Sequence, residues 1–233
     1  MIASAEEISI RQPNYARYKE LSRLIKRYSL ARCLQYEAIK MQILKGKVLD
    51  VGGGKNADYR PWLNCETYES INTDENMEPT WKVLENGEWP VTPESYDTVI
   101  SFNTLEHIYD AKNTLKQMNK SLKKGGELLV TTPFLYPIHG CPDDFFRPTP
   151  SWYRHALSET DFDKINITPL VWGPFSTGSI CSGLPGPFKT LRNQYTLLLD
   201  LLYSFWRNRS SGPNNSSLSL IPISLLVRAT KNT

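Results

Sequence analysis

No two cysteines stand close enough to clamp a metal ion or staple a small domain. Cys33, Cys65, Cys141 and Cys181 are 32, 76 and 40 residues apart, with no Cys-x-x-Cys pair and no cysteine–histidine cluster. That spacing excludes the usual structural zinc sites, so no metal is expected and the thiols are read as reduced. The first residues, MIASAEEISIRQ, lack a basic-then-apolar leader, and no apolar run approaches the ~20 residues of a membrane-spanning helix. A cytoplasmic protein is expected. Strong net charge is missing too: 27 Lys+Arg face 24 Asp+Glu, a formal +3, too little for a chain that binds nucleic acid over its whole surface. There is no internal repeat, and the one conspicuous polar stretch is SSGPNNSS at 210–217.

What is present suits one domain with an appendage: 233 residues, of which 40% are hydrophobic and 22% charged, enough to bury a core. The charge is uneven, since residues 11–47 carry +8 and the remainder −5. Residues 14–44 contain neither Gly nor Pro, and Leu21, Leu24, Ile25, Tyr28, Leu34, Ala38, Met41 and Leu44 recur at helical spacing. The pattern predicts one long or broken amphipathic helix, stopped at Lys45-Gly46-Lys47. Val48–Val51 reads as a buried strand entering a glycine cluster. Further strands are predicted at Tyr68–Asp74, Trp81–Leu84, Tyr96–Phe102, Glu127–Thr132, Lys164–Leu170 and Leu218–Ala229. A helix over Asp110–Leu122 should end at Lys123-Lys124-Gly125-Gly126. This alternation implies an α/β sheet whose early strands are parallel. Prolines 133, 137, 142, 148 and 150 make 133–150 a loop.

Val51-Gly52-Gly53-Gly54-Lys55-Asn56-Ala57 is the strongest local signal. Glycines after a strand let the backbone approach a ligand closely. Gly52-x-Gly54-x-x-Ala57 fits a dinucleotide-binding turn, and Asp74 lies 20 residues past Gly54, where a ribose-binding acid belongs. The same glycines could serve only a tight turn. Asp50, at the tip of the strand, suits a ligand bearing an ammonium group better than a pyrophosphate, because opposite charges attract strongly in a desolvated cleft.

Four blocks in order, Leu49-Asp50-Val51-Gly52-Gly53-Gly54, Asn72-Thr73-Asp74, Tyr96–Ile108 and Leu122–Val130, resemble the class I S-adenosylmethionine-dependent methyltransferases. The resemblance implies a Rossmann-like seven-stranded, mostly parallel sheet with a C-terminal antiparallel hairpin and helices on both faces. It implies S-adenosyl-L-methionine as cofactor. Asp50, Gly52, Gly53 and Gly54 would face its methionine part, Asp74 its ribose, and Asn103 with Leu105 the methyl-donor side. Two positions depart from the family pattern. Asn56 replaces a third glycine, and Val83 stands where an acid often meets adenine, leaving that contact to backbone groups or Glu85.

The loop after the fifth strand holds Tyr136, His139, Asp143, Asp144 and Arg147 among its prolines. Its pattern resembles methyltransferases of bacterial surface-polysaccharide and sugar biosynthesis, implying a small-molecule or glycan acceptor. His139 is the first candidate for general base, since imidazole titrates near neutrality; the alternative is a bond that merely holds the loop. Asp143 or Asp144 could be the base, orient His139 or bind sugar hydroxyls. Tyr136 and Arg147 would contact substrate, with an ion pair to one aspartate as the rival reading for Arg147. His107 and His155 are read as structural or cofactor-side.

The expected organisation is an N-terminal helical arm, 1–45, covering the cofactor site, then a methyltransferase domain, 46–233, with acceptor loop 133–150 and inserted helix 188–207. Leu197, Leu198, Leu199, Leu201, Leu202, Phe205 and Trp206 give that helix too broad an apolar surface for solvent alone. It should pack on the body or form a homodimer, with peripheral membrane contact a lesser alternative. The leading function is O-methylation of a sugar hydroxyl or glycan precursor. A methyltransferase acting on RNA or another small molecule, a catalytically silent partner-binding subunit and a nicotinamide-dependent oxidoreductase are the rivals. No nucleic-acid partner is expected.

Overall fold

The computed structural model describes residues 12–44, 46–140, 142–183, 187–211 and 221–233. Most of the polar stretch at 210–217, and residues 218–220 of the last expected strand, lie outside them. The chain divides into two compact units: Met1–Ala38, Pro133–Ile138 and Thr168–Leu225 form the first, and Ile39–Thr132, His139–Ile167 and Leu226–Thr233 the second.

The second unit is built on a seven-stranded sheet. In chain order its strands are β1 (Lys47–Val51), β2 (Thr67–Asn72), β3 (Trp81–Lys82), β4 (Tyr96–Phe102), β5 (Leu122–Pro133), β6 (Phe162–Leu170) and β7 (Ser224–Lys231). The spatial order is β3-β2-β1-β4-β5-β7-β6, parallel from β3 to β5 and closed by the antiparallel β5-β7-β6 set. Val48, Leu49, Val99 and Ile100 are fully buried, because central parallel strands are covered on both faces. β1 pairs with β2 on one side and β4 on the other, so the direction of winding reverses at their carboxyl ends. Ligand crevices form at such a reversal.

Two helices of this unit follow from local chemistry. Asp110 caps α3 (Ala111–Ser121) by accepting from Asn113 N at 3.0 Å, and Ala111, Thr114, Leu115 and Met118 make its buried stripe. Thr149 caps α4 (Pro150–Ser158), whose first residue is a proline that needs no amide partner. Lys123–Gly126 does not end α3 by a loop. The helix runs directly into β5, and a register shift opposite Tyr96 and Thr98 absorbs the glycines.

The first unit is helical. The predicted 14–44 helix is two helices, α1 (Tyr15–Leu24) and α2 (Leu30–Ile39), separated by the turn at 25–29. The second stops well before Gly46, which instead leads into β1, where Lys47 N donates to Asp97 Oδ2 at 2.9 Å. Arg17 and Glu37 tie the two helices together by two 2.6 Å bonds, and the Arg17 guanidinium lies 5.0 Å from the Trp172 ring centre. Part of the basic arm is thus consumed internally. An additional helix, α5 (Pro174–Cys181), is capped from a distance: Asp200 on α6 (Lys189–Ser211) accepts from Phe175 N and Ser176 N at 2.8 Å each. Leu197, Asp200 and Ser204 form the buried face of α6, while Leu191, Tyr195, Leu202, Phe205 and Trp206 stand exposed. Among the described residues no helix is long and apolar enough to cross a membrane.

Candidate active site

The glycine turn sits at the winding reversal of the second unit. Asp50 is fully buried there, and its Oδ2 accepts hydrogen bonds from Tyr59 Oη (2.7 Å) and Tyr68 Oη (2.6 Å). Its Oδ1 is buried with no hydrogen-bond partner among the described residues. Burial pushes the carboxyl up to about 6, against the pull of the two tyrosine hydroxyls and Arg60. Gly53 exists for this arrangement, since a Cβ there would lie 2.2 Å from Asp50 Oδ2 and 2.9 Å from Tyr68 Oη. Gly52 has φ +86°, and its Cβ would fall on the Thr104 side chain. Asn72 Nδ2 braces the turn from β2, donating to Gly52 O and Gly53 O at 3.1 Å each.

The other expected cofactor residues are Asp74, Asn103, Leu105 and Glu85. Asp74 is exposed just after β2, and its Oδ1 caps the following turn by accepting from Asn76 N (2.9 Å) and Asn76 Nδ2 (2.8 Å). Asn103 ends β4 in a left-handed conformation, φ 53°, and donates its amide to Thr131 O at 2.8 Å. Such a conformation in a residue other than glycine is costly and recurs at functional sites. Leu105 is fully buried, its side chain part of the core. Glu85 stands on an exposed turn closed by Leu84 N donating to Glu88 O at 2.9 Å.

Beyond Asn103, a 3-10 turn at Leu105–His107 meets the loop that returns after β5. Glu106 is fully buried, and neither carboxylate oxygen has a hydrogen-bond partner among the described residues. Burial pushes this acid up to about 8, with Arg147 pulling the other way. His107 Nδ1 contacts the Asp143 carbonyl, and its Nε2 lies 3.8 Å from Glu106 Oε1. The His139 ring stands edge-on to that of His107, with centres 5.0 Å apart. One ligating atom each from Glu106, His107 and His139 falls within 4.8 Å of the others.

Asp144 braces His139: its Oδ2 accepts from His139 N at 2.9 Å and lies 3.3 Å from Nδ1 of the same residue. Arg147 clamps Asp144, NH2 donating to Oδ2 at 2.6 Å and NH1 to Oδ1. The guanidinium holds Asp144 well below the usual carboxylate range, which makes it a poor proton acceptor. Arg147 is therefore in the ion pair weighed as its rival reading. Asp143 exposes its carboxylate and serves through its backbone carbonyl. Tyr136 lies in the 133–138 segment of the first unit. Glu106 is what sequence reasoning missed, while His107 beside it was read as structural or cofactor-side; the signal available was an acid–imidazole pair directly after β4.

Beside the cluster is a cleft of about 320 Å³ lined by Tyr109, Asp110, Lys112, Phe145, Phe146 and Trp152. It is joined to the cluster by Phe145 N, which donates to Glu106 O at 2.8 Å, and Tyr109 stacks edge-on against Phe145.

A Rossmann-like sheet carrying a glycine turn behind a buried acid defines a cofactor-binding α/β domain of the methyltransferase type. A methyltransferase-domain family model matches residues 14–166, more than half of the chain, and the chain belongs to the class I S-adenosylmethionine-dependent methyltransferase family. It is 31% identical to a tRNA U34 carboxymethyltransferase of Helicobacter hepaticus over 33% of this chain and 29% of that protein. An S-adenosylmethionine-dependent methyltransferase of Thermotoga maritima superposes with a TM-score of 0.55 at 15% identity, covering 92% of this chain and all of the other. Phosphoethanolamine N-methyltransferase 2 of Haemonchus contortus, solved with phosphomonomethylethanolamine and S-adenosylhomocysteine, gives 0.52 at 14% identity, covering 85% of this chain. The chain spans 52% of that structure and under a third of the curated relative. At these identities the structural likeness concerns the fold.

Proposed function

We propose that this protein transfers a methyl group from S-adenosyl-L-methionine to a hydroxyl of a small-molecule acceptor, a sugar or glycan precursor. The observation that carries this reading is one crevice edge holding both halves of the chemistry. The glycine turn and Asn103 lie at the ends of β1 and β4, Glu106 and His107 follow directly after β4, and His139 meets them from the loop after β5.

The cofactor fits the residues present. Asp50 has a buried Oδ1 with no hydrogen-bond partner among the described residues, available to an ammonium group, and Gly52, Gly53 and Gly54 let the turn pack against Thr104, Asp50 and Met77. Asp74 keeps a carboxylate oxygen for the ribose hydroxyls, and backbone groups near Val83, or Glu85, would meet the adenine. When bound, the cofactor supplies an electrophilic methyl carbon on a sulfonium centre. The protein's work is then positioning and proton removal. His139, braced by Asp144 and partly open to solvent, takes the proton from the acceptor hydroxyl, a role typically worth ~10²–10⁴-fold. The aromatic walls of the neighbouring cleft suit the apolar face of a sugar ring, and Asp110 with Lys112 offers polar contacts at its rim. Nucleic acid stays outside the proposal. Arg17 is buried against Glu37, which takes one charge of the basic arm out of reach of a phosphate backbone.

Incubation with radiolabelled S-adenosylmethionine and a panel of sugar nucleotides, glycans and RNA tests the reading. Label is expected in a sugar acceptor. His139→Ala should lower turnover about 10²–10⁴-fold with unchanged affinity for S-adenosylhomocysteine. Label in RNA alone, or full turnover by His139→Ala with the true acceptor, would overturn the corresponding assignment.

A further inference from the structure

We propose that Glu106, His107 and His139 bind a borderline divalent cation of the first transition row, such as Mn²⁺, Co²⁺ or Zn²⁺. Each residue brings one ligating atom to within 4.8 Å of the other two. Glu106 supplies the strongest reason to look for an ion. A fully buried carboxylate with both oxygens unpartnered among the described residues is rare, because desolvation without compensation is costly.

The His107 imidazole is oriented as a ligand is. The Asp143 carbonyl against His107 Nδ1 holds the proton on that nitrogen and leaves the lone pair on Nε2. That Nε2 is 3.8 Å from Glu106 Oε1, too far for a hydrogen bond. It is a separation that two ligands of one ion, each ~2.0–2.2 Å from the metal, can adopt with small side-chain movement. His139 faces Asp144 through Nδ1 at 3.3 Å, and Arg147 fixes Asp144 in turn. Supporting carboxylates and carbonyls of this kind steer metal-bound histidines.

Arg147 is the adverse neighbour, but its guanidinium is paired with Asp144. Two nitrogens and one oxygen suit Mn²⁺, Co²⁺ or Zn²⁺ better than Ca²⁺ or Mg²⁺, which prefer all-oxygen shells. The side chains of His107 and His139 are 16% and 36% exposed, which keeps coordination positions open to an incoming oxygen. An ion there would hold the acceptor hydroxyl and lower its pKa, so that the proton would pass to solvent water in place of His139. That role in turnover rests on the methyltransferase reading; ion binding does not.

The full chain, stripped with chelator, is titrated calorimetrically with Mn²⁺, Co²⁺ and Zn²⁺, with Ca²⁺ as control, while loss of the free Mn²⁺ electron-spin-resonance signal counts sites. One ion per chain is expected in the wild type. Glu106→Gln and His107→Ala should each weaken binding at least tenfold. His139→Ala, at a partly exposed position, carries the test if the buried substitutions alter melting. Titration with S-adenosylhomocysteine runs in parallel, so failure of the cofactor reading and failure of the ion proposal are separable. No ion bound by folded wild type at about millimolar metal, or equal affinity in all three variants, overturns the proposal.

Discussion

Lowering the pH through 6 should weaken the grip of this protein on S-adenosylhomocysteine, through one residue. Asp50 is fully buried, and burial raises its carboxyl to about 6 in the free protein. The ammonium of the ligand pairs only with the ionised form. At about pH 5 roughly one molecule in eleven is ionised, so affinity should fall about tenfold relative to pH 7.5, or ~1.4 kcal/mol. Asp50→Asn should bind about 10–100-fold more weakly at neutral pH, the worth of a hydrogen bond to a charged group, and show no such slope. Stability carries the opposite sign. A carboxyl raised above its ordinary value of ~4 binds its proton more tightly in the native state than in the unfolded one. The free protein therefore loses stability as pH rises from about 4 to 6 and is level above, by up to roughly 3 kcal/mol. Asp97, Glu69 and Asp144 are shifted down and slope the other way. The Asp50 contribution is accordingly read as the difference between wild type and Asp50→Asn. Calorimetric titration and thermal melting at matched pH values measure both quantities. An affinity independent of pH, or the same slope in Asp50→Asn, would refute the pairing.

Gly53→Ala puts a Cβ into the Asp50–Tyr68 contact, 2.2 Å from Asp50 Oδ2. It should cost about 1–3 kcal/mol in urea denaturation and weaken S-adenosylhomocysteine binding; wild-type behaviour in both would show that the turn tolerates the methyl. Arg17→Met removes the guanidinium that pairs with Glu37, whose side chain is 6% exposed. A loss of about 3–5 kcal/mol is expected, largely recovered in Arg17→Met/Glu37→Leu, and a double variant no more stable than the single would contradict the buried-charge argument.

The sheet was legible because its central strands are short apolar runs. Val48–Val51 and Tyr96–Phe102 are each followed by a position with positive φ, Gly52 or Asn103. The N-terminal helices were harder, since Ile25 and Tyr28 keep the apolar spacing going across the turn that separates α1 from α2. For α5 the local signal was only the opening Pro174, because its cap comes from Asp200, two dozen residues downstream. The site divided in the same way. The glycine turn and Asp50 are contiguous and were readable. Tyr59 and Tyr68, which hold Asp50, and the meeting of His107 with His139 depend on loops returning to a strand end, information carried by the tertiary fold. His139 was singled out by its chemistry, whereas no local pattern marks the burial of Glu106.

Titrating the folded wild type with S-adenosylhomocysteine, with NAD as control and Asp74→Ala as the weakened variant, tests the cofactor assignment most directly. Binding of S-adenosylhomocysteine, diminished in Asp74→Ala, with no heat from NAD, is the expected result. Silence toward S-adenosylhomocysteine would turn attention to a partner-binding role, and binding of NAD in its place would contradict the assignment outright.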